Sequence, residues 1–142
     1  MSSVTTNIAE QLHLGSTVIV FTKGTSMQPL LIEGKSYVVL RPIERRLKVG
    51  DLPIVLRSDG KYVVHRIIAM TDTGYITRGD NCITSENVKN ESVIGIVTEI
   101  QRKNKTIKVT DKKYRLYVVI WNIIYPIRWF CYKLRGRLKR GK

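Results

Sequence analysis

Residues 17–29, TVIVFTKGTSMQP, join a short apolar run to a turn, the first strand-and-turn pattern of the chain. Thr17 to Phe21 is β-branched and apolar, which is typical of a buried strand. Gly24 then marks a turn, because glycine tolerates backbone conformations that other residues avoid. Ser26 follows two residues later. The sequence therefore places a serine hydroxyl just after a strand, at an exposed turn, where a nucleophile has to be.

A histidine and a carboxylate follow at the edges of later strand-like segments. His65 lies 39 positions after Ser26, and Asp80 comes in the block RGDN at residues 78–81. A serine hydroxyl is a weak nucleophile until a neighbouring base takes its proton, and a carboxylate can then fix the tautomer of that base. Ser26 and His65 are thus the candidate nucleophile and general base. The other histidine, His13, has no motif around it.

Short strands with frequent turns continue to residue 109, and a helix precedes them. We expect the helix at Asn7 to Leu14, with Asn7 as its N-cap and Glu10 three residues on. His65 is expected within one long strand, Lys61–Met70. This pattern predicts a mainly β fold, a small antiparallel barrel or sandwich. The other strands are expected at residues 17–21, 37–40, 52–56, 75–77, 93–101 and 106–109.

Composition separates a mildly basic domain from a strongly basic tail. The 142 residues are 43% hydrophobic, enough for one packed core. Residues 1–110 hold 15 Lys/Arg against 10 Asp/Glu, whereas residues 111–142 hold 10 against one, so the tail carries +9 of the total +14. Cys82 and Cys131 are too few for a disulfide framework, and no zinc spacing occurs, so we expect neither metal nor cofactor. The uncharged N-terminus predicts neither a signal peptide nor a membrane anchor.

Five blocks of this sequence, between about Ser16 and Val97, resemble the signal peptidase family in the family's order. The similarity is to its Ser/His branch, as in endoplasmic reticulum and archaeal-type enzymes, whereas bacterial members have a lysine where His65 stands. The resemblance implies a β domain that cuts peptides after small side chains. The blocks are GTSMQPL (24–30), LKVGD (47–51), VVHRII (63–68), TRGDN (77–81) and IGIV (94–97).

The resemblance also implies roles for further residues. Asp80 would support the active site, with a turn aspartate as the alternative. Glu86, six positions later, matches the acidic residue of the Ser/His branch, but it is equally compatible with a solvated loop carboxylate. The oxyanion site would be the Ser26 N–H, with the Thr25 hydroxyl as a substitute donor, because Gly24 stands where many members have a serine. Met27 and Pro29 are the candidate substrate-binding residues, and they are also expected to be packing and turn residues that hold the backbone of Ser26.

The C-terminal segment is predicted to be a helix at a membrane interface. Its aromatic residues recur every fourth position, which aligns them on one helical face. Lysines and arginines follow, which favours an anionic membrane surface as the partner of residues 114–142. The cytoplasmic face is then the expected location. The alternatives are packing on the β domain or a partner, and nucleic-acid binding, which the aliphatic residues disfavour. The aromatic residues are Tyr117, Trp121, Tyr125 and Trp129.

These observations predict three parts: an N-terminal helical segment (1–15), a peptidase-like β domain (16–110) and an aromatic and basic helix with its tail (111–142). The expected function is a serine endopeptidase that acts on peptides or proteins with small residues at the cleavage site. The competing class is a non-catalytic peptide-binding module, which the departures at Gly24 and Glu86 make conceivable. A self-cleaving repressor would need an upstream DNA-binding domain and a lysine base, and Cys82 as nucleophile has no motif around it.

Overall fold

The computed structural model describes the backbone of residues 2–140 and the side chains of residues 8–137. Over that range the chain forms two α-helices and nine strands, with one 3₁₀ turn at Asn90–Ser92 before β8. In chain order the elements are α1 (Ser2–His13), β1 (Val18–Phe21), β2 (Ser36–Arg41), β3 (Pro53–Leu56), β4 (Tyr62–Val64), β5 (Arg66–Met70), β6 (Gly74–Arg78), β7 (Glu86–Lys89), β8 (Val93–Arg102), β9 (Lys105–Lys108) and α2 (Lys112–Arg140).

The strands form two antiparallel sheets. The larger has the order β1-β2-β8-β3-β4, with β9 paired to β8, and the smaller has the order β5-β6-β7. Register shifts in the β2–β8 and β3–β8 ladders bend the large sheet, since a bulge increases local twist. The sheet curls into a half barrel. The prediction of a mainly β, antiparallel fold with a C-terminal helix is confirmed.

The main core lies inside the curl of the large sheet. Strand alternation sends Val38, Leu40 and Ile100 inward, where each is at most 2% exposed. Helix α1 closes one side of this core through Leu12. A Cβ on Gly95 would lie 2.9 Å from Leu12 Cδ1, so the missing side chain lets the helix approach the sheet.

Helix α1 differs from its prediction. It begins at Ser2 rather than at Asn7, so Asn7 lies inside the helix and is not its N-cap. The polar residues before Asn7 carry no apolar periodicity, which is why the pattern located only the second half of the helix.

The predicted strand Lys61–Met70 is wrong in one respect that matters for the site. It divides at His65 into β4 and β5, which belong to different sheets. The β4 ladder ends with Val64 opposite Ile54, and the β5 ladder begins with Arg66 opposite Arg78. His65 therefore sits at the junction of the two sheets. Strand β7 was not predicted, because its sequence ENVK has one apolar residue.

Helix α2 runs for 29 residues without a break at Pro126. Proline removes one main-chain hydrogen bond from a helix interior. One face of α2 contacts the β domain through Tyr114, Tyr117 and Val118. No helix within residues 2–140 is both long and apolar enough to cross a bilayer.

Candidate active site

Ser26 and His65 meet at the junction of the two sheets. The Nε2 atom of His65 lies 3.2 Å from the Oγ atom of Ser26. Ser26 is in the turn after β1, and His65 is in the single-residue gap between β4 and β5. A base within about 2.6–3.2 Å of a hydroxyl can take its proton directly. The structure thus brings together the two residues that the sequence assigned as nucleophile and base.

The surroundings of His65 favour its neutral form. The side chain is 7% exposed, and burial lowers its pKa because an imidazolium ion loses hydration there. The charge of Arg57 lowers this pKa further, whereas the charges of Glu86 and Asp80 raise it. A neutral imidazole with its proton on Nδ1 has Nε2 free to accept the Ser26 proton.

Asp80 is buried, and its carboxylate is used by groups other than His65. Its Oδ1 and Oδ2 accept hydrogen bonds from Nε and Nη2 of Arg66, each 2.8 Å long. Its Oδ2 also accepts a 2.8 Å bond from the hydroxyl of Tyr117. The side chains of Arg66 and Asp80 are both 2% exposed. Asp80 is thus half of a buried ion pair. Its described side-chain hydrogen bonds go to Arg66 and Tyr117 and not to His65, on which its charge acts.

The described hydrogen bonds of the Arg66 guanidinium group are all buried or partly buried. Besides the pair with Asp80, its Nη1 donates to the Gly50 carbonyl at 3.0 Å and to the Tyr114 hydroxyl at 2.8 Å. Burial opposes its charge, but the hydrogen bonds to Asp80 and Tyr114 outweigh this and raise the pKa of Arg66. Burial raises the pKa of Tyr117, so its hydroxyl keeps the proton that it donates to Asp80. Sequence analysis did not find this network, since its partners lie up to 48 residues apart.

Glu86 lies at the start of β7 and forms an ion pair with Arg57. The pair is partly exposed, with 36% of the Arg57 side chain and 47% of the Glu86 side chain accessible. The described hydrogen bond of the Glu86 carboxylate goes to Arg57 and not to the imidazole. Glu86 is nevertheless close enough for its charge to act on His65. It fits neither of the two predicted roles fully.

The turn that carries Ser26 is shaped by Gly24. Its φ of +81° lies in the left-handed region, which L side chains rarely adopt. A serine at this position would therefore be strained, which gives a physical reason for its absence. The N–H of Ser26 has no hydrogen-bond partner in the part of the chain that the structure describes, whereas the Thr25 carbonyl accepts a bond from the Asn81 side chain.

The two candidate substrate-binding residues differ in position. Met27 is 4% exposed and belongs to the core, and its Sδ accepts a hydrogen bond from the Asp80 N–H. It therefore packs under the turn, and its assignment to substrate binding is not supported by this geometry. Pro29 follows a cis peptide bond and is exposed. Its carbonyl accepts a 2.9 Å bond from Arg102.

The thiol of Cys82 also lies beside the nucleophile turn. Its Sγ is 3.9 Å from the Ser26 carbonyl oxygen. Burial raises the pKa of the thiol, which works against the thiolate that a cysteine nucleophile needs. Both cysteines are free, and Cys131 is exposed on α2. Residues 2–140 contain no cluster of three or more His, Cys, Asp or Glu side chains that could hold a metal ion.

Three of the four aromatic residues assigned to a membrane interface face the β domain instead. Trp121 Nε1 donates to the Asp80 carbonyl at 2.7 Å, and the Tyr125 hydroxyl donates to the Ile83 carbonyl at 2.6 Å. Tyr117 bonds the Asp80 carboxylate, while Trp129 is 43% exposed. The spacing of four correctly indicated a common face. The face is occupied by protein, which is the alternative that the sequence left open.

The opposite face of α2 is apolar and accessible. Its large side chains are between 47% and 66% exposed, so the described residues leave this face largely uncovered. This outer face consists of Leu116, Val119, Ile120, Ile123, Ile127, Phe130 and Leu134.

In comparisons with known proteins, no family model matches the chain, and no curated protein sequence matches it.

Proposed function

We propose that the chain is a serine endopeptidase of the signal peptidase type, which cuts peptides or proteins after small side chains. The single observation that carries this proposal is the 3.2 Å approach of His65 Nε2 to Ser26 Oγ. Two features support it. Burial lowers the pKa of His65, which keeps the base neutral near pH 7. The free N–H of Ser26 is available to stabilise an oxyanion.

The chemistry follows from these atoms. Ser26 Oγ attacks the carbonyl carbon of the scissile peptide while its proton passes to Nε2 of His65. The tetrahedral oxyanion accepts a hydrogen bond from the Ser26 N–H. The C–N bond then breaks, and the imidazolium gives its proton to the leaving amine. Water attacks the resulting ester, its proton passes to His65, and the ester oxygen recovers a proton as Ser26 is released.

The two strands that lead to the site are suited to hold an extended peptide. β1 and β4 are the terminal strands of the large sheet's path. β1 ends five residues before Ser26, and β4 ends one residue before His65. A peptide that adds to such an edge gains main-chain hydrogen bonds without much demand on its sequence. Selectivity then comes from the few side-chain pockets beside the nucleophile, where small residues fit.

The first test is acylation by p-nitrophenyl acetate in detergent micelles, followed by intact mass. The expected result is one acetyl group on the wild type, lost in Ser26→Ala and in His65→Ala. Both substitutions shorten side chains at the site and leave the fold intact, which circular dichroism checks. Peptides that differ only by alanine or leucine at the cleavage position then test the preference for small residues.

Equal labelling of the wild type and Ser26→Ala would sink the proposal. If Ser26 is labelled under none of the conditions, the result would favour the alternative, a non-catalytic peptide-binding module on the same β domain. The departure at Gly24 motivates that alternative, because a side-chain oxyanion donor at this position is missing. Such a module would bind small-residue peptides with unchanged affinity in Ser26→Ala.

We also propose that an anionic membrane surface is the partner of α2, on the cytoplasmic face, through the outer face. An apolar helical face of this size in contact with water is costly, at about 25 cal/mol per Å² of apolar surface. Basic side chains flank it at both ends, Lys112 and Lys113 before it and Arg135 and Arg137 after it, and α2 contains no acidic residue. Basic and aromatic residues beside an apolar face are typical of helices that lie in the interface.

Charge favours lipid over a second copy of the chain as the occupant. Two α2 helices that pair along their outer faces, parallel or antiparallel, would place basic ends beside basic ends, because both ends of the helix are basic. Anionic headgroups instead neutralise these ends, at about 1 kcal/mol per basic residue near the surface.

Co-sedimentation with phosphatidylglycerol vesicles tests this partner. The wild type should pellet with them and not with phosphatidylcholine vesicles, and Ile123→Asn should bind roughly tenfold more weakly because a polar group enters the apolar layer. Ile43→Asn, at an exposed isoleucine of the β domain, is the matched control. Absence of wild-type binding would contradict the proposal, as would a dimer in sedimentation velocity that Ile123→Asn dissociates.

A further inference from the structure

The loop between β6 and β7 contains no strand and therefore no strand-to-strand hydrogen bonds. Residues 79–85 connect Arg78 to Glu86 without regular structure, and such a segment is ordinarily more mobile than the strands that it connects. Its first part, residues 79–83, is here named the Asp80 loop. Three hydrogen bonds from α2 reach the main-chain carbonyls of this loop.

Two of these bonds end on a single oxygen atom. The Asp80 carbonyl accepts from Trp121 Nε1 and from Arg128 Nη1, each at 2.7 Å. One helical turn along, the hydroxyl of Tyr125 donates to the Ile83 carbonyl at 2.6 Å. The donors are also packed against cations, since the Arg128 guanidinium lies 4.2 Å from the Trp121 ring and that of Arg78 lies 3.4 Å from the Tyr125 ring. These contacts fix the loop from the helix side.

The same loop holds the nucleophile turn from its other side. The Asn81 N–H donates to the Ser26 carbonyl at 2.8 Å, and the Asn81 side chain donates to the Thr25 carbonyl at 3.0 Å. Gly79 packs directly on the turn, because a Cβ there would lie 2.5 Å from the Ser26 carbonyl oxygen. A shift of the loop therefore shifts the main chain of Ser26, on which both the Oγ position and the N–H direction depend.

We infer that α2 braces the active site, and that Trp121, Tyr125 and Arg128 are positioning residues for Ser26 that act through the Asp80 loop. The inference rests on the proposed function for its kinetic consequence, while its structural content is independent of catalysis. Reaction rates respond steeply to such positioning, since a misplacement of about 1 Å can cost about a hundredfold. Trp121 and Tyr125 are thereby assigned to the site and not to lipid.

Substitutions that delete only the donor test the brace. Trp121→Phe removes the indole N–H, and Tyr125→Phe removes the hydroxyl, while each keeps an aromatic ring on the helix. The same helix offers matched controls in Trp129→Phe and Tyr132→Phe, whose side chains are 43% and 59% exposed. Two quantities are measured for each folded variant: the acylation rate of Ser26 by p-nitrophenyl acetate as a function of pH, and amide hydrogen exchange of the Asp80 loop.

Both measurements have a definite expectation. In Trp121→Phe and Tyr125→Phe the plateau of acylation should fall on the order of tenfold, with the midpoint of its acid limb unchanged, because His65 keeps its surroundings. Exchange at Asn81 and Cys82 should accelerate, since their N–H groups bond Ser26 and Gly79. The control variants should match the wild type within twofold in both measurements.

The outcomes separate this inference from the proposed function. If the wild type is not acylated at Ser26, the peptidase proposal fails, and exchange alone decides whether α2 holds the loop. Faster exchange with unchanged acylation would show that α2 holds the loop without positioning the nucleophile, which overturns the inference. Unchanged exchange in both Trp121→Phe and Tyr125→Phe would overturn it as well, whatever their activity.

Discussion

Replacing Asp80 by asparagine should cost this protein a large part of its stability. The substitution keeps the shape of the side chain and the acceptor for Tyr117, but it removes the charge that faces Arg66. The Arg66 guanidinium would remain in a position where its side chain is 2% exposed, without a counter-ion. Breaking a buried ion pair on one side costs about 3–5 kcal/mol, because the remaining charge is desolvated and unpaired.

Urea unfolding followed by circular dichroism measures this loss as a lower midpoint at an unchanged slope. For a chain of this size the melting temperature should drop by roughly 10–15 °C. Glu86→Gln is the matched control, since its pair with Arg57 is partly exposed, and such pairs are worth about 1 kcal/mol or less. Adding Arg66→Met to Asp80→Asn should recover part of the loss, because it removes the orphaned charge.

A loss below about 1 kcal/mol in Asp80→Asn, equal to that of Glu86→Gln, would refute this account of the buried pair. So would a variant of full stability that is no longer acylated at Ser26. That second result would assign the Asp80 carboxylate to the support of His65 during the reaction.

The pH dependence gives a second prediction: because burial lowers the pKa of His65, the acid limb of Ser26 acylation should have its midpoint below the ordinary histidine value of about 6.5. Arg57→Gln should move this midpoint up and Glu86→Gln should move it down, since the charge of Arg57 lowers the pKa and that of Glu86 raises it; two shifts in the same direction would contradict the electrostatic account. The same lowered pKa makes stability depend on pH, because the folded state resists protonation of His65 more than the unfolded state does. The free energy of unfolding is therefore highest above the unfolded pKa and falls as the pH drops below it. Urea midpoints should decline below about pH 6.5 in the wild type, and less steeply in His65→Gln. Gly79→Ala should destabilise by about 1–3 kcal/mol and abolish acylation, because the new Cβ meets the Ser26 carbonyl; normal acylation would mean that the turn can move without consequence.

The pairing of Ser26 with His65 was predictable from the sequence because each residue sits in a short local pattern. The strand, turn and glycine predicted Ser26 in the turn after β1, and the apolar run predicted His65 within a strand, next to the gap between β4 and β5 where it lies. The break at His65 was not predictable, because residues 61–70 carry one continuous strand-like pattern. Each half pairs within a local hairpin, β4 with β3 and β5 with β6. That the two hairpins belong to different sheets depends on long-range pairing, such as that of β3 with β8, which a local pattern does not contain.

The roles of the carboxylates and of the aromatic helix were harder to predict, for a physical reason. A carboxylate that a motif assigns to a histidine can instead bond whichever cation the fold brings closer, and here Arg66 pairs with Asp80 while Arg57 pairs with Glu86. Likewise, Tyr and Trp have an apolar ring and one polar atom, so they suit a lipid interface and a protein carbonyl equally. The periodicity of α2 defines a face, but it does not identify what that face contacts.

The two faces of α2 belong to one helix, so whatever binds one of them is thermodynamically linked to the other. A ligand of the outer face that requires the helix to be formed and docked stabilises that arrangement by RT ln(1 + [L]/Kd), about 2.7 kcal/mol at a hundredfold excess over Kd. The same free energy then opposes release of the loop beneath Ser26. Linkage is reciprocal: a peptide that demands a well-placed Ser26 must in turn strengthen the affinity of the outer face for its own ligand.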